Sequence, residues 1–125
     1  MDAKLLSPSV LAFMGDAVYG FFVREKMSAV NRPSKDLHSL SVKYVNAASQ
    51  AKAYTFIADM LSDDEMAIFK RGRNFHTSSS PKNFSKCDYH IATGIETLFG
   101  FLHLSGNDTR AKELFDKIWE NLSVG

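Results

Sequence analysis

LAFMGDAVYGFFVRE, residues 11–25, sets one aspartate, Asp16, inside a run of apolar and aromatic residues. Apolar residues recur at helical spacing from Val10 to Val23. Ser7-Pro8 ahead of them supplies an N-cap followed by a proline at the first helical position. Arg24, Glu25 and Lys26 close the segment. An ionised carboxylate buried without a partner costs several kcal/mol, so Asp16 needs an explanation. A second stretch, ATGIETLFGFL at 92–102, sets Glu96 in the same kind of surroundings. Residues four apart share a helical face. On that face Asp16 has Ala12 before it and Gly20 after it, and Glu96 has Ala92 before it and Gly100 after it. Small residues on both sides leave an open pocket and let two helices approach closely. Two buried carboxylates facing one another repel, and one should then hold a proton. A divalent cation removes the conflict, and Mg²⁺ is commonly held by one or two carboxylates, water and substrate phosphate. Either acid alone could instead be satisfied by a hydroxyl, such as Tyr19 or Thr93, or by a basic residue. The matched pair favours a metal site.

Working outward, every other segment also reads as helix. Asn31-Arg32-Pro33 is a turn, and Ser34 is positioned to cap a second helix that carries Leu37, Leu40, Val42 and Tyr44 to about Val45. Ala-rich residues 46–60 form a third. Ser62-Asp63-Asp64-Glu65 is a capping box that opens a short fourth helix, expected to stop near Gly72. Residues 75–86, FHTSSSPKNFSK, carry four serines and a proline without periodicity and read as a mobile basic loop. A long fifth helix runs from Asp88 to Ser105 and is stopped by Gly106. Asn107 or Asp108 caps a last amphipathic helix ending near Leu122. No strand pattern competes, so the expected fold is all-α. Residues 1–125 read as one domain without repeats.

Composition narrows the function. Apolar residues make up 45% of the 125, with ten Phe, enough for an aromatic-rich core. Pro8 and Asp16 interrupt the apolar N-terminal stretch, and no small-residue cleavage site follows. Neither a signal peptide nor a membrane span is expected. A lone cysteine, Cys87, fits a reducing compartment, and a cytoplasmic protein is expected. The net charge of +1 hides a local block: Lys70, Arg71, Arg73, Lys82 and Lys86 stand between Met66 and Cys87 with no acid among them. The remainder of the chain is net acidic. Such a block is either a solvated surface or a phosphate-binding patch.

LAFMGDAVYGFFVRE resembles the signature helix of ribonuclease III endonuclease domains, whose core is a Leu-Gly-Asp-Ala/Ser-Val/Ile run. ATGIETLFGFLHL (92–104) resembles the second acidic helix of that family. LHSLSVKYVNAASQAKA (37–53) and FKRGRN (69–74) are similar to its short bacterial branch, the mini-ribonucleases III, which lack a double-stranded-RNA-binding domain. The resemblance implies a ribonuclease III-like helical endonuclease domain. It places Asp16 on the catalytic aspartate and Glu96 on the metal-binding glutamate, with Mg²⁺ as cofactor. Two further acids of full-length relatives are missing: Ala12 stands four before the aspartate and Thr93 three before the glutamate. Mini-type enzymes share this reduction.

The expected activity is Mg²⁺-dependent hydrolysis of phosphodiesters in double-stranded RNA. The resemblance further implies maturation of large-subunit (23S) precursor ribosomal RNA, with a ribosomal protein presenting the RNA left as an open partner. It also implies a homodimer with Phe13 at the interface, because a Phe at the matching position of full-length relatives packs into the partner subunit. Grip on RNA is expected from Lys70, Arg71, Arg73, Asn74, Lys82 and Lys86. The competing expectation is a non-catalytic RNA-binding or ribosome-associated protein on the same fold, for which Ala12 and Thr93 are the best argument. A helical protein-interaction module would leave the basic block unexplained.

Overall fold

Six α-helices carry the chain in a computed structural model that describes residues 2–75 and 86–123. They are α1 (Pro8–Met27), α2 (Ser34–Val45), α3 (Ala47–Ile57), α4 (Asp63–Arg73), α5 (Lys86–Leu104) and α6 (Asp108–Asn121), with short 3₁₀ turns at Ala3–Leu5 and Ala58–Met60. No strand occurs among the described residues. The fold is all-α, as the periodicity predicts. The mobile loop expected at 75–86 lies almost wholly outside the described residues, and so does Lys82.

The helix starts follow local side-chain chemistry. The Val10 amide donates to Ser7 Oγ at 3.3 Å, with Pro8 at the first helical position. The Ser49 amide donates to Asn46 Oδ1 at 2.9 Å, which separates α3 from α2. The capping box before α4 is closed in both directions: Glu65 N–H donates to Ser62 Oγ at 3.1 Å and Ser62 N–H to Glu65 Oε1 at 2.8 Å. Asn107 caps α6, after Gly106 turns the chain at φ +76°. Helix α5 begins at Lys86, two residues before the expected Asp88. Ser34 is the first residue of α2 and does not cap it; Pro33 precedes the helix without a side-chain cap. Helix α4 ends at Arg73, one residue past Gly72, as expected. A Cβ on Gly72 would lie 2.2 Å from Thr97 Oγ1, so that glycine serves close packing of α4 on α5.

Helix α5 is the central element. It packs against α1, α4 and α3, while α6 closes the far side. The core is aromatic: Tyr19 meets Phe99 edge-on at 5.4 Å and Phe115 at 5.2 Å, and Phe22 stacks on Phe115 at 5.4 Å. Tyr54 stacks on Phe69 at 4.1 Å. Arg110 of α6 ties the capping box into this frame. Its guanidinium donates to Glu65 Oε2 at 2.9 Å and to Met60 O at 2.7 Å, and it also pairs with Glu113. Glu65 is buried, and the Arg110 contacts hold its carboxyl below the usual carboxylate range.

The approach of α1 to α5 is set by two glycines. A Cβ on Gly15 would fall 1.6 Å from Glu96 O, and a Cβ on Gly100 would fall 1.8 Å from Leu11 O. No side chain fits at either point, so the two backbones touch. The four-residue pattern foresaw Gly100 in this role, but its partner is Gly15. Gly20 has nothing within 4 Å of where a Cβ would stand.

Candidate active site at the crossing of two helices

The backbone contact at Gly15 puts the next residue, Asp16, beside Glu96. The two carboxyls face one another across a cleft of about 280 Å³ lined by Ala12, Phe13, Thr93 and Tyr89. They are close enough that Asp16 raises the Glu96 pKa by direct hydrogen bonding and by like charge. Burial is the larger cause, and together they push Glu96 up to about 8. Asp16 also borders a second cleft of about 410 Å³ between α1 and α2, with Arg24, Ser41 and Val45 on its walls.

The structure corrects one sequence expectation here. The two acids are not equally buried: Asp16 is exposed, and Glu96 is the partly buried member. The reason is helical phase. Leu11, Gly15, Val18 and Phe22 make the buried stripe of α1 and leave Asp16 at its edge. Glu96 lies between Ile95 and Thr97, both fully buried. Thr93 does not satisfy Glu96, because its hydroxyl donates back to Tyr89 O at 2.9 Å. Tyr19 lies one turn along α1 from Asp16, and its hydroxyl is buried without a partner. Burial first, and the Glu96 charge second, push that phenol far above its ordinary pKa.

Sequence reasoning missed Gln50. It is 3% exposed on α3, and its Nε2 finds no partner at hydrogen-bond distance. The amide nonetheless lies near enough to Glu96 to favour the ionised carboxylate. A signal was present: Gln50, Ala53 and Ile57 fall on one helical stripe, so a glutamine occupies an apolar face.

A hard divalent cation fits this donor set. The facing groups are carboxylate oxygens, which suit Mg²⁺, and a cation between them would relieve the repulsion that lifts Glu96. Among the described residues no cluster of three or more His, Cys, Asp or Glu could hold a metal ion.

The basic block is placed unevenly. Lys70 and Lys86 are exposed at the end of α4 and the start of α5. Arg73 lies 6.0 Å from the centre of the Phe69 ring and donates from Nε to Asn74 Oδ1 at 3.1 Å. Arg71 turns to the N-terminal segment, donating to Lys4 O at 3.0 Å and Leu6 O at 2.7 Å. Two of its five donors are thereby in use. Phe13 is 83% exposed, on the wall of the cleft that holds the acids.

The Ribonuclease III domain model matches residues 9–107. The chain belongs to the ribonuclease III family. It is an endoribonuclease of that family, and the relatives it resembles at higher identity are mini-ribonucleases III. A protein named Mini-ribonuclease 3 from Thermoanaerobacter sp. (strain X514) is 45% identical over 89% of this chain and 79% of its own length. The Mini-ribonuclease 3 of Staphylococcus aureus is 40% identical over 92% of this chain and 88% of its own. A crystal structure of a Fusobacterium nucleatum protein superposes with a TM-score of 0.85 at 25% identity, covering 95% of this chain and 96% of that one. The matched segment of this ribonuclease III-type chain contains both acids, both crossing glycines and Gln50.

Proposed function

We propose that this ribonuclease III-type enzyme cleaves double-stranded RNA with Mg²⁺, that Asp16 and Glu96 are its catalytic and metal-holding residues, and that it works as a cytoplasmic homodimer. The observation that carries the reading is the facing of two carboxylates at a backbone-tight helix crossing, in a chain of this family. Asp16, exposed at the rim, reaches toward a docked strand, and Glu96 approaches from the floor. When bound, the cation supplies an activated water and charge stabilisation at the scissile phosphate. The residues themselves hold position: Gly15 and Gly100 fix the spacing of the helices, and the packed core behind Tyr19 and Phe99 keeps them from sliding.

Lys70, Arg73, Asn74 and Lys86, with Lys82 in the segment outside the described residues, supply phosphate contacts beside the cleft. A-form RNA has a major groove too narrow for side chains to read, so recognition rests on phosphates, 2′-hydroxyls and duplex shape. One chain offers one pair of acids, and two strands require two. A two-fold dimer supplies the second pair. Phe13, with exposed Val10 and Phe21 on the same helix, gives that dimer an apolar surface. Precursor 23S ribosomal RNA as the natural substrate, and a ribosomal protein that presents it, rest on the family resemblance alone.

The test is a cleavage assay on a labelled RNA duplex and on its separate strands, with Mg²⁺ and with EDTA. Cleavage of the duplex only, and only with Mg²⁺, is the expected result. Metal-independent cleavage would overturn the reading. Tight duplex binding without any cleavage would support a non-catalytic RNA-binding protein instead.

A further inference from the structure

We propose that Gln50 and Tyr19 form a two-donor seat that orients the Glu96 carboxylate for cation binding, which makes Gln50 a positioning residue; the inference rests on the reading of Asp16 and Glu96 given above. Gln50 is 3% exposed and Tyr19 1% exposed, and neither Gln50 Nε2 nor the Tyr19 hydroxyl has a partner. Buried polar groups are rarely left unpaired, and each exception calls for a cause. Gln50 stands on α3 and Tyr19 on α1, and both helices pack against α5, which carries Glu96. Tyr19 follows Asp16 by three residues on α1, and Phe99 follows Glu96 by three on α5. The Tyr19–Phe99 ring contact at 5.4 Å therefore sits one turn along from the acid pair. Tyr19 feels the Glu96 charge, and the Gln50 amide favours the ionised Glu96.

The chemistry of the donors matters. A lysine or arginine at either place would orient Glu96 but cancel the charge that attracts the cation. An amide and a phenol orient the carboxylate and leave its charge in place. Partners of this kind behind a ligating carboxylate fix its direction, and their loss typically lowers metal affinity about 10–100-fold.

The test is Mn²⁺ titration by calorimetry, without RNA, on wild-type protein, Gln50→Met, Tyr19→Phe and Glu96→Gln. Gln50→Met keeps the side-chain length and removes both donors. We expect it to weaken Mn²⁺ binding by about tenfold or more, with helical circular dichroism and metal-free melting retained. Tyr19→Phe should weaken binding in the same direction. In cleavage assays the half-saturating Mg²⁺ concentration should rise, and the rate at saturating Mg²⁺ should largely return. A merely structural role would lower the metal-free melting temperature and leave Mn²⁺ affinity unchanged. Folded Gln50→Met and Tyr19→Phe with wild-type affinity would overturn the seat, even if Glu96→Gln abolishes binding and so upholds the acid pair. Wild-type protein that binds no Mn²⁺ would overturn both. If Gln50→Met does not fold, Tyr19→Phe, which removes a single oxygen, decides alone.

Discussion

Glu96 carries the largest electrostatic cost among the described carboxylates of the site, and that cost has a sign. Its folded pKa is raised from 4.5 to about 8, chiefly by burial and then by Asp16. The folded state therefore binds the proton more tightly than the unfolded chain does. Stability from this group is fully present below pH 4.5 and is lost as pH rises toward 8. In EDTA the wild type should lose thermal stability across that window. Glu96→Gln should flatten the loss and be more stable at pH 8, on the order of 2 kcal/mol after allowing for partial exposure. Melting curves in EDTA at several pH values check this, and identical pH dependence in both proteins would contradict it. Asp16→Asn should change stability far less, because Asp16 is exposed. Both acids were legible in the sequence, as charges alone within apolar runs. Which one is buried was not legible, because periodicity gives a stripe but not the edge at which a neighbouring helix ends. Gln50 was hidden for a different reason: its meaning lies in a contact between α3 and α5, far apart in the chain.

The helix crossing makes its own predictions. Gly15→Ala or Gly100→Ala would drive a methyl into the backbone of the facing helix, at 1.6 Å and 1.8 Å respectively. The helices must separate, and either change should cost about 3 kcal/mol or more, beyond the usual 1–3 kcal/mol of core overpacking. Gly20→Ala meets nothing within 4 Å and should stabilise α1 by roughly 0.5–1 kcal/mol through reduced chain entropy. Thermal or urea unfolding of the three variants separates them. A stable Gly15→Ala with full activity would show that the close approach is not needed. Six helices were readable in the sequence because Ser7-Pro8, the Ser62–Glu65 box and Gly106 are local signals, whereas Asn46 as the cap of α3 was not read and Ser34 does not cap α2. Gly20 lines an open cleft, as expected, but makes no close helix contact: a glycine reads alike as a spacer, a stop or a contact until its neighbour across the fold is known. Arg71 is a related case. With its guanidinium on Lys4 O and Leu6 O, Arg71→Ala should lower stability by about 1.5–3 kcal/mol. Arg73→Ala should chiefly weaken RNA binding.

At the scale of the whole molecule, the charge block and the exposed apolar face predict how the protein meets RNA and a second copy of itself. If Arg73 and Lys70 contact phosphates, each alanine substitution should weaken duplex binding about equally across sequences. Each should also flatten the salt dependence by roughly one unit or slightly less. Unchanged affinity and slope in the double variant would place RNA elsewhere. If the proposed dimer forms through Phe13, which is 83% exposed beside the acids, Phe13→Ala should shift sedimentation toward monomer. An active wild-type monomer would contradict the dimer. The proposed cleavage depends on Asp16 and Glu96 acting together, and one measurement tests that most directly: the rate of duplex RNA cleavage in saturating Mg²⁺ by wild type, Asp16→Asn and Glu96→Gln, each first shown to be folded by circular dichroism. The expected result is loss of more than about a hundredfold in each variant, the upper end for residues that merely support a ligand. Cleavage at the wild-type rate by either folded variant would contradict the account.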